Sequence, residues 1–296
     1  MTILLTKLRS HCLFTLEDAS IPLLGECKVS GKGMSEQIQF AMQNWSIEFT
    51  PSNKTKIDDF RRVLPIGTTV NVTAIRGADP ALMMATVEQL ATQEMNPVPH
   101  IAARGIASIS ALENMLASYR EVDVTEILLI AGGYQSPVGD FKSAVEVLET
   151  GLLQQVGIRK IGVAGHPEGS PDIPKTELKK ALKQKNQFAE ETGISMYLET
   201  QFCFDAQAIL RWESEIRADG NQLPIRVGLA GPAQLKTLLH FALISGVGPS
   251  LQFLKKQARH VTTLLSVQDP YDLIADLAPH VNKDSPTQLQ SLHFYS

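Results

Sequence analysis

The chain is short of the residues that staple, span or grip polyanions. It has three cysteines in 296 residues, Cys12, Cys27 and Cys203. Their odd number and wide scatter exclude a disulfide framework and give no metal-ligand spacing. No run of eighteen apolar residues occurs, so no segment reads as a bilayer-spanning helix. Basic residues are not in excess: 27 Lys and Arg stand against 31 Asp and Glu, a net charge of -4. Neither nucleic acid nor a membrane surface is therefore expected as a partner. The Walker sequence and the G-x-G-x-x-G fingerprint are both missing, and residues 1–7 lack the layout of a secretory leader. A cytoplasmic location is expected.

Apolar residues make up 44% and charged residues 20% of the chain, the composition of a soluble globular protein. Its length suits a single α/β barrel. Short β-branched or apolar runs at 45–49, 69–73, 99–102, 126–130, 160–164, 195–199 and 225–229 read as strands. Between them, apolar residues recur at helical spacing over 80–90, 108–119, 205–216 and 232–244. Strand alternating with helix predicts right-handed crossovers and a parallel sheet. An eighth strand at 291–295, after a helix at 269–278, would close a (β/α)8 TIM barrel, with 248–265 as an extra helical insert. Residues 1–44 stand outside the repeat as an N-terminal extension, which either caps a barrel mouth or builds a subunit interface; a homo-oligomer stays open. Residues 45–296 form the barrel.

In such a barrel, chemistry comes from the carboxyl ends of strands and the loops behind them. Those ends supply Glu48, Thr73, His100, Arg104, Tyr134, His166, Glu168, Glu199, Gln201 and Arg226. Glu48, between Ile47 and Phe49, is expected to be desolvated and to have a raised pKa suited to a general acid. The competing reading is a structural ion pair with an inward arginine. A strand histidine such as His100 is more often structural than catalytic. His166 and Glu168 have neither helical pairing nor a cysteine partner, so a metal site is not expected. The segment 130–134, with Gly132 and Gly133, is a weak nucleotide signal.

Taken in order, these segments resemble the methylenetetrahydrofolate reductase family. Ser46-Ile47-Glu48-Phe49-Thr50-Pro51 is similar to its S-F-E-F-F-P, and Asn71-Val72-Thr73-Ala74 with Gly77-Ala78 to S-V-T-Y-G-A. Pro99-His100-Ile101 resembles P-H-L, and Val163-Ala164-Gly165-His166-Pro167-Glu168 resembles V-A-x-Y-P-E. Glu199-Thr200-Gln201-Phe202-Cys203-Phe204-Asp205 is similar to I-T-Q-F-F-F-D, and Leu292-His293-Phe294-Tyr295-Ser296 to F-H-F-Y-T. The resemblance implies an oxidoreductase that reduces 5,10-methylenetetrahydrofolate to 5-methyltetrahydrofolate through FAD and NADH or NADPH. It makes Glu48 the acid that assists ring opening and Gln201 a substrate ligand. Thr73, His100, Gly132, Gly133, His166 and Lys185 fall at cofactor-binding positions.

The family's R-G-D after the fourth strand is replaced by Ala131, Gly132 and Gly133, its tyrosine by His166, and a following histidine by Ser170. Each lost charge-assisted hydrogen bond removes on the order of 1.5–3 kcal/mol of flavin binding. Acidic and amide groups for the adenosine half of FAD are also not evident near Leu178 and Ala181. Two variants therefore stay open: FAD held in altered fashion, or direct hydride transfer from NAD(P)H. The alternative is a folate-binding or folate-dependent methyl-transfer protein on the same barrel, without redox chemistry.

Overall fold

The computed structural model describes residues 36–51, 57–77, 79–244, 248–257, 267–281 and 285–295. Eight parallel strands close into a barrel: β1 (Ser46–Phe49), β2 (Thr69–Val72), β3 (Asn96–Ala102), β4 (Glu126–Ile130), β5 (Lys160–Gly165), β6 (Ser195–Thr200), β7 (Ile225–Ala230) and β8 (Leu289–Tyr295). They follow one another round the ring in chain order, and β8 pairs with both β7 and β1. The expected (β/α)8 barrel is the observed one. The helices are α1 (Glu36–Ala41), α2 (Pro80–Thr92), α3 (Ile109–Glu121), α4 (Ala144–Glu149), α5 (Leu152–Gln155), α6 (Lys175–Thr192), α7 (Ala206–Ala218), α8 (Leu235–Ile244), α9 (Gly248–Gln257) and α10 (Tyr271–Leu277).

The strands alternate two kinds of residue. Ile47, Val70, Val72, Ile127, Leu129, Ile161, Val163, Val227, Leu229 and Phe294 join the main apolar core, with Val87, Leu90, Leu112, Leu116 and Ile209 from the helices. The intervening positions carry buried polar groups, among them Ser46, Glu48, Asn71, His100, Glu199, Arg226 and His293. Those positions face the barrel axis. Gly162 lies there too: a Cβ on it would come within 2.5 Å of the Tyr197 ring. A Cβ on Gly228 would meet the Thr200 carbonyl oxygen at 2.2 Å. Helices α2, α3, α4 and α7 start at Asp79, Ser108, Ser143 and Asp205, whose side chains accept from first-turn N–H groups.

Several boundaries differ from the sequence reading. β3 begins at Asn96 and runs through Pro97 and Pro99. Over those residues it pairs with β2, while pairing with β4 starts only at His100. The prolines thus sit where no β4 ladder has formed to need their N–H groups. Residues 232–234, read as the start of a helix, are not helical; Ala233–Gln234 pairs antiparallel with Val267–Gln268, and α8 starts at Leu235. The insert after 248 is helical over α9, and its remainder lies outside the described residues, as do residues 1–35 with Cys12 and Cys27. α1 places Ile38 and Ala41 in the main core and packs against α10, the turn Ala278–His280 and β8.

Candidate active site

β1, β2 and β8 bring Glu48, Thr73 and His293 together. The Thr73 hydroxyl donates to Glu48 Oε1, and Thr50 Oγ1 lies 3.2 Å from Thr73 Oγ1. His293 Nε2 stands 3.8 Å from Glu48 Oε2, and its Nδ1 is 2.8 Å from Ser46 Oγ. Burial pushes the Glu48 carboxyl up, but the nearby His293 and His100 imidazoles and the Thr73 hydroxyl together hold it below its ordinary range. The expected raised pKa is thus corrected. Desolvation was legible from the apolar neighbours in the sequence; the donors on distant strands were not. His100 lies in the same interior, and burial pushes its pKa below the ordinary histidine range. Its Nε2 is buried without a hydrogen-bond partner among the described residues.

The inward arginine is not the partner of Glu48. Arg226 donates to Glu199 Oε2 at 3.3 Å, to the Tyr197 hydroxyl at 3.0 Å and to Glu126 Oε1 at 3.1 Å. Its guanidinium carbon lies 4.3 Å from the Tyr197 ring centre. Asn71 donates to the other oxygen of Glu199 at 2.6 Å. This ionic layer fixes the walls beside Glu48 while leaving its carboxylate to Thr73 and His293. Ser46, Asn71 and His293 escaped the sequence reading. The available signal was the alternation of β2 and β8, which puts Asn71 with Thr73, and His293 with Ser291 and Tyr295.

His166 and Lys185 meet on a different wall. They line a cavity of about 500 Å³ between the turn after β5, α6 and α7, with Leu178, Ala181 and Trp212. Lys185 is buried, and its ammonium has a backbone partner, the Ala164 carbonyl at 3.4 Å. Burial lowers its pKa to about 8. Burial, and then the charge of Lys185, lower His166 to about 4, so the imidazole is neutral at physiological pH. Lys175 and Lys179 on the same cavity are engaged by Glu215 at 3.3 Å and Asp219 at 2.7 Å.

Gln201 follows β6 directly, its N–H bonded to the Gly165 carbonyl at 3.0 Å. Gly132 and Gly133 follow β4. A Cβ on Gly132 would press on Ala102 at 2.8 Å, whereas Gly133 borders open space. Arg104 braces the loops after β3 and β4 by donating to the Lys142 and Tyr134 carbonyls at 2.8 and 3.3 Å. Glu168 lines the same cavity as His166 and accepts from the Ser250 hydroxyl at 2.6 Å. No cluster of three metal-ligating side chains occurs among the described residues, and no described helix is long and apolar enough to cross a membrane.

The residues fit a nucleotide cofactor at its phosphate end. A buried ammonium without a carboxylate partner among the described residues, on the wall of a roomy cavity, is suited to a phosphate. Beyond β4, a Cβ on Gly133 would meet nothing within 4 Å, which leaves room for a flat ring there. No arginine or aspartate extends from the end of β4 to grip a flavin.

The family model described as methylenetetrahydrofolate reductase matches residues 34–288. Over 69 residues the chain is 35% identical to the Saccharomyces cerevisiae protein named methylenetetrahydrofolate reductase 2. That alignment covers 23% of this chain and 11% of the yeast protein.

Proposed function

Because the chain belongs to the methylenetetrahydrofolate reductase family, we propose that it reduces 5,10-methylenetetrahydrofolate to 5-methyltetrahydrofolate, with a hydride that originates on NADH or NADPH. Family membership supports an oxidoreductase of folate one-carbon units; the individual substrate and reductant belong to this reading. Glu48, held as a carboxylate inside the barrel, is the observation that carries it.

The substrate's methylene carbon bridges two nitrogens. Breaking one carbon–nitrogen bond returns its electron pair to the departing nitrogen, which takes a proton, and leaves an iminium cation on the other. A hydride added to that carbon completes the methyl group. The Glu48 carboxylate stabilises the cation as it forms. Thr73 fixes one carboxylate oxygen, and His293 stands at the other with Ser46 behind it. That line of groups is the route by which a proton reaches the departing nitrogen. Gln201 orients the folate at the end of β6. Lys185 and His166 would hold the nucleotide end of the cofactor, which would supply the hydride when bound. The family generally binds FAD, but the side chains missing after β4 favour direct transfer from NAD(P)H over a flavin intermediary.

The test is to purify the protein and record its visible spectrum, then follow NADH and NADPH oxidation with and without 5,10-methylenetetrahydrofolate. A colourless protein that oxidises the nicotinamide only with folate supports direct transfer; flavin absorbance returns the hydride path to FAD. No oxidation in either case removes the redox reading and leaves folate binding or methyl transfer. A carboxylate about 4 Å from a cation contributes about 4 kcal/mol at an effective dielectric of about 20. Glu48→Gln is therefore expected to lower kcat/KM about a thousandfold.

A further inference from the structure

Glu168 is a half-buried side chain that the proposed chemistry does not use. It lies in the turn after β5, closed by the Gly169 N–H bonding the His166 carbonyl at 3.0 Å. Both of its carboxylate oxygens are engaged. Oε1 accepts from the Ser250 hydroxyl at 2.6 Å and from the Cys203 thiol at 3.3 Å; Oε2 accepts from the Ser250 N–H at 3.1 Å. Ser250 sits in the first turn of α9, where a carboxylate complements the helix dipole. Its hydroxyl oxygen also accepts from the Phe204 N–H at 3.3 Å. One side chain thus joins the loop after β5, the loop after β6 and a helix inserted after β7.

α8 and α9 contribute Leu235, Leu238, Ala242 and Leu254 to a small apolar cluster with Phe202 and Ala230, separate from the main core. Pro249, next to Ser250, lines the same cavity as His166 and Lys185. On the other side, Gln201 immediately precedes Phe202 and Cys203. The loop bearing Gln201 is therefore tied at Gly165 by its own N–H and at Glu168 through Cys203.

We infer that Glu168 is a positioning residue, a clasp that pins α9 and the 201–204 loop to the turn after β5. Glu168 thereby links the loop bearing the substrate-orienting Gln201 to one wall of the cofactor cavity. The part concerning Gln201 rests on the folate reading above; the clasp itself does not. Cys203 reports on it directly, because its sulfur is fully buried against Glu168 and, among the described residues, is the free thiol.

With Cys12 and Cys27 changed to serine, Cys203 is the sole thiol of the chain. The experiment compares this parent with Glu168→Gln and Ser250→Ala, using an aromatic disulfide reagent under native conditions. Glu168→Gln keeps the shape but sets an amide N–H against the Ser250 N–H; Ser250→Ala removes the hydroxyl and leaves the backbone donor. Circular dichroism melts establish that each variant is folded. The expected result is a protected thiol in the parent and modification at least about tenfold faster in both variants, with KM for the folate raised about tenfold and kcat within about threefold. A merely structural loss would lower kcat and melting temperature together and leave KM unmoved. A folded Glu168→Gln protein whose thiol stays as protected as the parent's overturns the clasp; where that variant does not fold, Ser250→Ala decides in the same way. If the thiol becomes reactive but no protein consumes folate, the clasp stands and the folate reading fails.

Discussion

Replacing Arg226 with methionine would take away the cation at the centre of the barrel's ionic layer while preserving much of its apolar stem. Its partners are not left equally. Glu126 is partly exposed and keeps Lys160 at 3.2 Å. Glu199, at 1% side-chain exposure, loses its guanidinium and keeps only Asn71 and the imidazole of His293 at 3.8 Å. Removing one member of a buried pair costs about 3–5 kcal/mol, chiefly through the charge left behind. For a domain of this size that lowers the melting temperature by about 6–10 °C. Neutralising the stranded charge should restore part of the loss: Arg226→Met with Glu199→Gln is expected to be more stable than Arg226→Met alone. Urea unfolding followed by far-ultraviolet circular dichroism, run as a double-mutant cycle, measures the coupling directly. A single variant within about 1 kcal/mol of the parent, or a cycle additive to within about 0.5 kcal/mol, would refute the view that Arg226 is there to neutralise Glu199.

Three further outcomes follow from the same geometry. Thr73→Val removes an O–H donor from the Glu48 carboxylate, so the acid limb of the kcat/KM profile should move to higher pH while the alkaline limb stays; an unmoved acid limb would count against Glu48 as the titrating group. Lys185 has a folded pKa of about 8 against an ordinary 10.5. The buried charge is therefore borne below about 8, and stability rises as pH climbs from there towards 10.5. Lys185→Met should flatten that rise, raise the melting temperature at neutral pH and weaken ADP binding measured by calorimetry. Gly162→Ala drives a methyl into the Tyr197 ring and displaces the hydroxyl that Arg226 contacts, so thermal melts should show a loss of about 1–3 kcal/mol.

The strands of the barrel were legible because each pairs apolar outward residues with a loop-forming end, a pattern that needs no partner to be seen. Glu48, Thr73 and His100 were legible for the same reason, as polar residues inside strands or at their ends. What escaped was whatever depends on which strand lies beside which. His293 was in view as part of a terminal motif, yet nothing local places it against Glu48. The sign of the Glu48 shift was missed in consequence: burial is a local property, while its donors arrive from β2 and β8. Residues 232–234 were misread because an apolar stripe continues through them and their pairing with Val267–Gln268 is non-local. Glu168 looked like a site residue beside His166, and only the fold reveals that it turns towards α9.

The hydrogen bond between Ser46 and His293 spans 247 positions of sequence. The imidazole beside Glu48 therefore comes from β8, the strand that closes the ring, and a barrel lacking β8 holds the Glu48 carboxylate without it. Such a chain also presents β1 and β7 as open strand edges, ready to pair with other chains. Closing the ring removes the sticky edges and arms the site in one event. The pairing of Glu48 with His293 is thus a readout of ring closure, withheld from every form of the barrel that still has an edge to offer.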